Sequence, residues 1–146
     1  MVTTAAVEPP GPWQTATVVQ VRQETPTAKT FNLKVFASRA GQHFIVRLTA
    51  PGGYRAQRTY SIATAPSGSP EIEITVEILP GGEVSGFLRE AVEVGDVLKV
   101  RGPIGGHFAW YRQPALGVAA ESGIVPVMSM LRHARVLGQP DLFHLL

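Results

Sequence analysis

EIEITVEIL, at residues 71–79, is the clearest indication of fold class in this sequence of 146 residues. Isoleucine and valine occupy Ile72, Ile74, Val76 and Ile78, and the positions between them are polar. Because successive side chains of a β-strand point to opposite faces, this alternation predicts a strand with one buried face and one solvated face.

Further runs of the same kind lie on both sides of this strand. Glycine, proline and serine clusters, which favour turns, separate them from one another. Residues 84–92 interrupt the pattern with one short predicted helix, in which Phe87, Leu88 and Ala91 are expected to face the core. Many short strands at close spacing predict an antiparallel sandwich or a small barrel. The additional predicted strands are residues 15–23, 30–36, 43–49, 58–63, 97–102 and 107–111.

The last third of the chain has a different pattern. Residues 114–120 form a short apolar run, and residues 124–137 carry helical periodicity with Ser122 as a candidate N-cap and Gly138 at the end. The segment 142–146 has the composition of another buried strand. This order predicts the beginning of a strand-helix-strand unit.

Composition excludes several classes of site. The chain contains no cysteine, so disulfides, thiolate metal sites, cysteine nucleophiles and cysteine-bound iron-sulfur clusters are excluded. Its four histidines show no metal-ligand spacing, and we predict no metal site. No signal-peptide pattern or apolar run of membrane-spanning length occurs, which predicts a cytoplasmic protein without membrane contact.

Charge is unevenly distributed along the chain. Between Thr25 and Pro70 there are six basic residues and no acidic one, whereas the segment from Glu71 to Asp96 holds seven acidic residues and one arginine. Two interpretations remain open: the blocks pair across neighbouring strands, or the basic block forms a patch for a phosphate-bearing ligand. Nucleic acid is not predicted, because aromatic residues are not interleaved with the basic ones.

Two motifs point to a ligand rather than to packing. In RTYS (58–61), Arg58 and Tyr60 are expected on the same face of a strand. In LPGGEVSGFL (79–88), two glycines precede a helix start, where free backbone N–H groups and Ser85 could hold an anionic oxygen. An ordinary glycine turn before a helix is the alternative for the second motif.

Taken together, these motifs resemble the flavin-binding barrel of the ferredoxin-NADP reductase superfamily. RTYS is similar to its Arg-x-Tyr-Ser signature, GGEVS to its phosphate-binding turn, GPIGG (102–106) to its Gly-Pro-x-Gly turn, and AGQHFIVRL (40–48) to the strand before the signature. The resemblance runs from about Trp13 to Tyr111. It implies a mainly β fold, a six-stranded antiparallel Greek-key β-barrel with one short helix, followed by an incomplete α/β tail.

The resemblance also implies FAD as the cofactor. Arg58 would pair with its pyrophosphate, Tyr60 would lie against the isoalloxazine ring, and Ser61 would hydrogen-bond near the flavin N5. Backbone groups, with the Ser85 hydroxyl, would supply the remaining contacts, from Val76 beside the flavin and from Gly82, Val84 and Ser85 at the phosphates. Arginine, aromatic rings and helix N-termini suit these roles by their chemistry.

In the same family, a nicotinamide-nucleotide domain follows the barrel and begins with a glycine-rich loop. Residues 118–133 keep the frame of that motif, with Ser122, Gly123 and Pro126 in register. The first glycines are replaced by Ala119, Ala120 and Glu121, which add side chains and a carboxylate where phosphates would bind. We therefore expect impaired nicotinamide binding, and we expect this chain to be a fragment of a longer reading frame.

These observations predict three regions: a flexible lead-in (1–12), an FAD-binding β-barrel (13–113) and the truncated start of a nicotinamide-nucleotide-binding domain (114–146). The predicted function is FAD binding in an electron-transfer oxidoreductase that passes electrons from NAD(P)H through flavin to a redox partner protein or domain. The alternative is a non-catalytic β-barrel interaction module with weak or no flavin binding that associates through its C-terminal helix.

Overall fold

The computed structural model describes residues 11–35, 41–105 and 109–146. Most of the predicted lead-in, residues 1–10, lies outside these ranges, as do residues 36–40 and 106–108. In the described part of the chain, no helix is long and apolar enough to cross a membrane.

Six strands form one antiparallel sheet in the order β4-β3-β6-β1-β2-β5. Its edge strands, β4 and β5, meet at an isolated antiparallel bridge between Ile62 and Ile74. The predicted six-stranded antiparallel fold is confirmed. The sheet is barrel-like rather than a closed barrel, because a bridge and not a continuous ladder joins its two edges. The strands are β1 (Trp13–Thr25), β2 (Ala28–Lys34), β3 (His43–Thr49), β4 (Arg55–Ser61), β5 (Glu71–Glu77) and β6 (Val97–Ile104).

Helix α1 (Glu83–Ala91) connects β5 to β6 and confirms the one short helix predicted in this region. Leu88 is fully buried against the sheet, as predicted. The prediction was wrong for Phe87, which is 49% exposed, and for Ala91, which is also exposed. The buried face instead runs through Val84 and Leu88 at a spacing of four, which is the spacing that keeps residues on one side of a helix.

The C-terminal unit has the predicted strand-helix-strand order: β7 (Ala115–Gly117), α2 (Ile124–Val136) and β8 (Phe143–Leu145). The two strands pair in parallel, with Ala115 opposite Phe143. Ser122 does not cap α2, because a short 3-10 turn precedes the helix and places Gly123 at the N-cap position. Gly138 has a φ of 70° just after the helix, as expected for a glycine that ends it.

Two apolar clusters stabilise the molecule. The first fills the sheet and includes Phe31, Phe44 and Leu88. The second joins Trp110 to α2 and to Phe143 of β8. Trp110 is 4% exposed, and its ring meets the Phe143 ring edge to face, with the two centroids 5.6 Å apart. The second cluster thus attaches the C-terminal unit to the chain that leaves β6.

The strand predicted at residues 107–111 is wrong for its described part, Ala109–Tyr111, which is irregular; residues 107 and 108 lie outside the described ranges. Burial of the Trp110 indole in the second cluster explains the difference. Its Nε1 donates a hydrogen bond to the Gln113 carbonyl 2.7 Å away. Tertiary packing here overrides a local alternation that favours a strand.

We expect Gly117→Ala to destabilise the C-terminal unit by about 1–3 kcal/mol, the usual cost of overpacking. An added Cβ would lie 2.9 Å from Phe143 Cε1 and 2.9 Å from Val127 Cγ1. Urea unfolding followed by tryptophan fluorescence measures the loss. Gly123→Ala is the matched control, because its Cβ would have no heavy atom within 4 Å. Equal stability of the two variants would contradict the prediction.

Candidate functional site

A cavity of about 610 Å³ opens beside the C-terminal half of β4. Its volume lies within the range of roughly 300–1,000 Å³ that is typical of small-molecule sites. Three parts of the chain contribute to its wall: strands β4 and β5, the turn into α1, and the first turn of α2 with the residues before it. The lining residues are Arg58, Thr59, Tyr60, Ser61, Thr75, Glu77, Leu79, Pro80, Gly81, Gly82, Ser85, Ser122, Gly123, Val125 and Pro126.

Strand β4 presents the RTYS motif to this cavity. Pairing with β3 holds it in register, with Phe44 opposite Tyr60 and Val46 opposite Arg58. The Arg58 side chain is exposed, and its Nη1 donates to the Gln57 carbonyl at 2.8 Å. The guanidinium therefore keeps further N–H donors for an anion, because an arginine carries five of them.

Tyr60 is half-buried and packs against the main core. Burial raises the pKa of its phenol to about 12, because removal from water disfavours the phenolate, while the nearby Arg58 charge acts in the opposite direction. The phenol is therefore neutral at physiological pH. A neutral, fixed ring at a cavity wall can stack against a flat heterocycle.

The turn from β5 into α1 forms the neighbouring wall. Gly81 has a φ of 72°, and the Gly82 N–H donates to the Leu79 carbonyl at 3.0 Å. Gly82 is the N-cap of α1 and provides no side chain to cap the first-turn N–H groups. A helix start of this kind attracts an anion, because its amides carry partial positive charge.

The acidic residue in the first turn of α1 is directed elsewhere. The Glu83 carboxylate accepts a hydrogen bond from the Tyr54 hydroxyl at 3.0 Å and lines a separate groove beyond the helix. Its charge is therefore not on the wall formed by Gly82 and Ser85. The Ser85 hydroxyl accepts from the Leu79 N–H at 3.4 Å, which is a long hydrogen bond.

The cavity brings together five of the seven residues predicted for the site: Arg58, Tyr60, Ser61, Gly82 and Ser85. Val76 and Val84 do not line it, because their side chains are about 1% exposed and lie in the main core. The roles predicted for these two residues concern their backbone groups, and those roles stay predictions.

Sequence reasoning missed the wall supplied by the C-terminal unit. Val125 and Pro126 reach the cavity from the first turn of α2, more than 60 residues after the RTYS motif. Neither residue carries a chemical signature of binding. The sequence signal for this wall was the match of residues 118–133 to the frame of the family's nicotinamide-nucleotide motif.

The two charge blocks lie partly opposite each other in the sheet. Lys34 of the basic block stands opposite Glu71 of the acidic block in the β2-β5 ladder. Glu73 forms a 3.3 Å ion pair with Arg22, which belongs to neither block. Arg58 lines the cavity instead. Strand register brings the two blocks close together, and the ligand-binding interpretation of the basic block stays a prediction.

The antiparallel barrel-like sheet places an arginine, a tyrosine and a glycine-lined helix start around one cavity, an arrangement whose chemistry suits a dinucleotide cofactor. Residues 16–110 match a protein-family model described as an oxidoreductase FAD-binding domain. The chain therefore belongs to this family, and the resemblance to the ferredoxin-NADP reductase superfamily is confirmed.

Known relatives agree with this assignment. Ferredoxin-NADP reductase B of Sorangium cellulosum is 36% identical over 127 residues, which cover 80% of this chain and 50% of the relative. The glycine betaine monooxygenase reductase subunit of Chromohalobacter salexigens is 36% identical over 122 residues, 78% of this chain and 33% of the relative. The chain thus spans half or less of the length of these two relatives.

A solved structure shows the same fold. The flavohem-like FAD/NAD binding domain of nitric oxide dioxygenase from Vibrio cholerae superposes with a TM-score of 0.79 at 26% identity. The match covers 90% of this chain and 60% of that structure. FAD is the cofactor of the family to which this chain belongs.

Proposed function

We propose that this chain is the flavin-holding part of a reductase that carries electrons from NAD(P)H to a redox partner protein or domain. The observation that carries the proposal is the meeting of Arg58, Tyr60 and Ser61 with Gly82 and Ser85 around one cavity. The relatives named as reductases support it. Flavin supplies the redox chemistry in such proteins, and the protein binds and orients it.

The cavity suits FAD by its size and by the chemistry of its wall. Arg58 offers a planar donor fork for the pyrophosphate, and the start of α1 adds backbone N–H groups without a side-chain cap at Val84 and Ser85. The Gly82 N–H already donates to the Leu79 carbonyl, so we propose that Gly82 contributes by letting the phosphates approach the turn. A Cβ at Gly82 would overlap the Ser85 Oγ and lie 3.1 Å from the Leu79 carbonyl, so any larger residue would displace the Ser85 hydroxyl and crowd the turn. Tyr60, Ser61 and the Val76 backbone are proposed for the isoalloxazine end.

We propose that residues 13–113 form the FAD-binding unit and that residues 114–146 begin a nicotinamide-nucleotide-binding unit with weakened phosphate binding. Glu121 stands where the family has a glycine, and its φ of 51° lies in the left-handed region that favours glycine. Its carboxylate would repel the phosphates of NAD(P)H. A cytoplasmic location stays a prediction.

Arg58→Ala tests the proposal. We expect it to weaken FAD binding by about 10- to 100-fold, because a charge-assisted hydrogen-bond pair to phosphate contributes about 1.5–3 kcal/mol. Riboflavin, which lacks the pyrophosphate, should change by less than about threefold. Titration of the flavin-free protein, followed by flavin fluorescence, measures both affinities.

Arg55→Ala is the matched control, because Arg55 is an exposed arginine of the same strand and does not line the cavity. Equal losses for FAD and riboflavin in Arg58→Ala would remove Arg58 from its assigned role. A purified chain that binds no flavin and shows no visible absorption would support the alternative, a non-catalytic interaction module.

A further inference from the structure

Helix α2 is fastened to the barrel-like sheet by two side chains of one face. The Ser129 Oγ donates to the Thr64 carbonyl at 2.5 Å, and Arg132 Nη1 donates to the Ala63 carbonyl at 2.6 Å. Residues three apart in a helix lie on the same side, so both groups point the same way. Their two acceptors follow Ser61, the end of β4, by only two and three residues.

The Ser129 hydroxyl is fully buried and makes this contact in preference to a local one. A serine inside a helix can bond the carbonyl four residues earlier in its own helix. Here the hydroxyl reaches a different part of the chain. Since a buried hydroxyl needs a partner, this contact favours one position of α2 on the sheet over neighbouring positions.

The acceptor segment is itself held from the opposite side. The Ile62 N–H donates to the Gln42 carbonyl at 3.0 Å, and the Ala63 N–H donates to the Glu73 carbonyl at 2.7 Å. The Glu73 N–H donates to the Thr64 hydroxyl at 3.3 Å. The two carbonyls are therefore fixed points on the sheet, and the helix is the part that they position.

The same helix supplies part of the cavity wall. Val125 and Pro126, which line the cavity, lie one turn before Ser129. A shift of α2 would move this wall relative to Tyr60 and Ser61 of β4. The hydrogen bonds from Ser129 and Arg132 thus contribute, with the second apolar cluster, to fixing the α2 wall relative to the β4 wall.

We propose that Ser129 and Arg132 are positioning residues that hold the α2 wall against the isoalloxazine end of the flavin. This inference rests on the proposed function, because it assigns the ring of FAD to the end of the cavity near Ser61. Both residues act through the helix and make no contact with the cofactor. Their loss lets the wall move and opens the ring to solvent.

The test uses the full chain with Ser129→Ala, Arg132→Ala and the double variant. We expect the double variant to bind FAD and riboflavin about tenfold more weakly, by the same factor for both, because both ligands carry the ring. Iodide should quench the fluorescence of the bound flavin more strongly than in the unchanged protein. Iodide quenching is measured at saturating flavin, the affinities come from titrations, and all measurements are made well below the melting temperature.

Two further variants separate positioning from stability. Arg132→Lys should recover most of the affinity, because an ammonium can also donate to the Ala63 carbonyl. Arg135→Ala is the matched control, since Arg135 is exposed on the same helix. It should leave both readouts unchanged.

The outcomes are distinguishable. If the double variant unfolds more easily but keeps its flavin affinity and iodide quenching, the two residues are only structural and the inference is overturned. A greater loss for FAD than for riboflavin also overturns it, since the effect would then lie at the phosphates. If the unchanged protein binds neither flavin, the proposed function itself fails.

Discussion

FAD affinity should fall by more than about 100-fold in the Gly82→Asp variant, because this one substitution introduces both a steric and an electrostatic conflict. The first is steric: the new Cβ would overlap the Ser85 Oγ and lie 3.1 Å from the Leu79 carbonyl. The second is electrostatic, since a carboxylate would stand at the helix start proposed for the pyrophosphate. Gly82 has a φ of −73°, so backbone strain does not contribute.

A series of variants separates the two terms. Gly82→Ala keeps the steric term alone, and we expect about a tenfold loss of FAD affinity. Adding Ser85→Ala to Gly82→Ala removes the overlap with Oγ and tests whether that contact is the cause. Gly81→Ala is the control for the turn, because its Cβ would meet nothing within 4 Å although its φ of 72° is unfavourable for alanine.

The measurement is a fluorescence titration with FAD, with circular dichroism to show that each variant is folded. FAD binding by folded Gly82→Asp within tenfold of the unchanged protein would show that the phosphates do not lie at this turn. Because Arg58→Ala tests the same phosphates from β4, agreement between the two variants would locate them between β4 and α1.

The sheet was predictable from sequence because its signals are local. In β5, Ile72, Ile74 and Val76 alternate with polar residues, and all three side chains are at most 2% exposed. Alternation reports burial on one face directly, whatever the partner strand is. The predicted strands in the sheet are therefore close to those observed, with ends that differ by at most three residues.

Features that depend on distant contacts were not predictable in the same way. Trp110 stands in a run that favours a strand, yet its ring packs with Phe143, which lies 33 residues later. Phe87 was expected on the core face of the short helix together with Leu88 and Ala91, whereas the observed helix turns Val84 and Leu88 inward. Local pattern does not contain this information, because it arises from packing between elements.

The residues of the site also fall into a locally recognisable group and a group placed by distant contacts. RTYS and the glycine turn were recognisable because a guanidinium, a ring and a helix start are chemically specific. Val125 and Pro126 are ordinary apolar residues, and only the docking of α2 on Ala63 and Thr64 places them at the cavity. The chemical groups predicted for the site were recognisable in the sequence, but the cavity wall that α2 supplies was not.

Stability should respond most strongly to a substitution at Gly102 of β6. We expect Gly102→Ala to lower the free energy of unfolding by about 2–5 kcal/mol, combining an overpacking cost of about 1–3 with about 1–2 for the backbone. The φ of 153° is one that L side chains rarely adopt. An added Cβ would lie 2.7 Å from Phe44 Cδ1 and 3.0 Å from the His43 carbonyl.

This loss is large because nothing near Gly102 can give way. Phe44 is fully buried in the main core, and the β3-β6 ladder has an irregularity between His43 and Ile45, where the strands approach each other closely. A domain of this size has about 5–15 kcal/mol of stability in total, so the variant should be poorly soluble or partly unfolded at 37 °C.

Urea unfolding at 25 °C measures the difference. Gly52→Ala, whose Cβ would meet nothing within 4 Å, should stay within about 1 kcal/mol of the unchanged protein. Combining Gly102→Ala with Phe44→Leu should recover part of the steric cost but none of the backbone cost. A Gly102→Ala protein as stable as Gly52→Ala would contradict the close approach of β3 and β6 at this position.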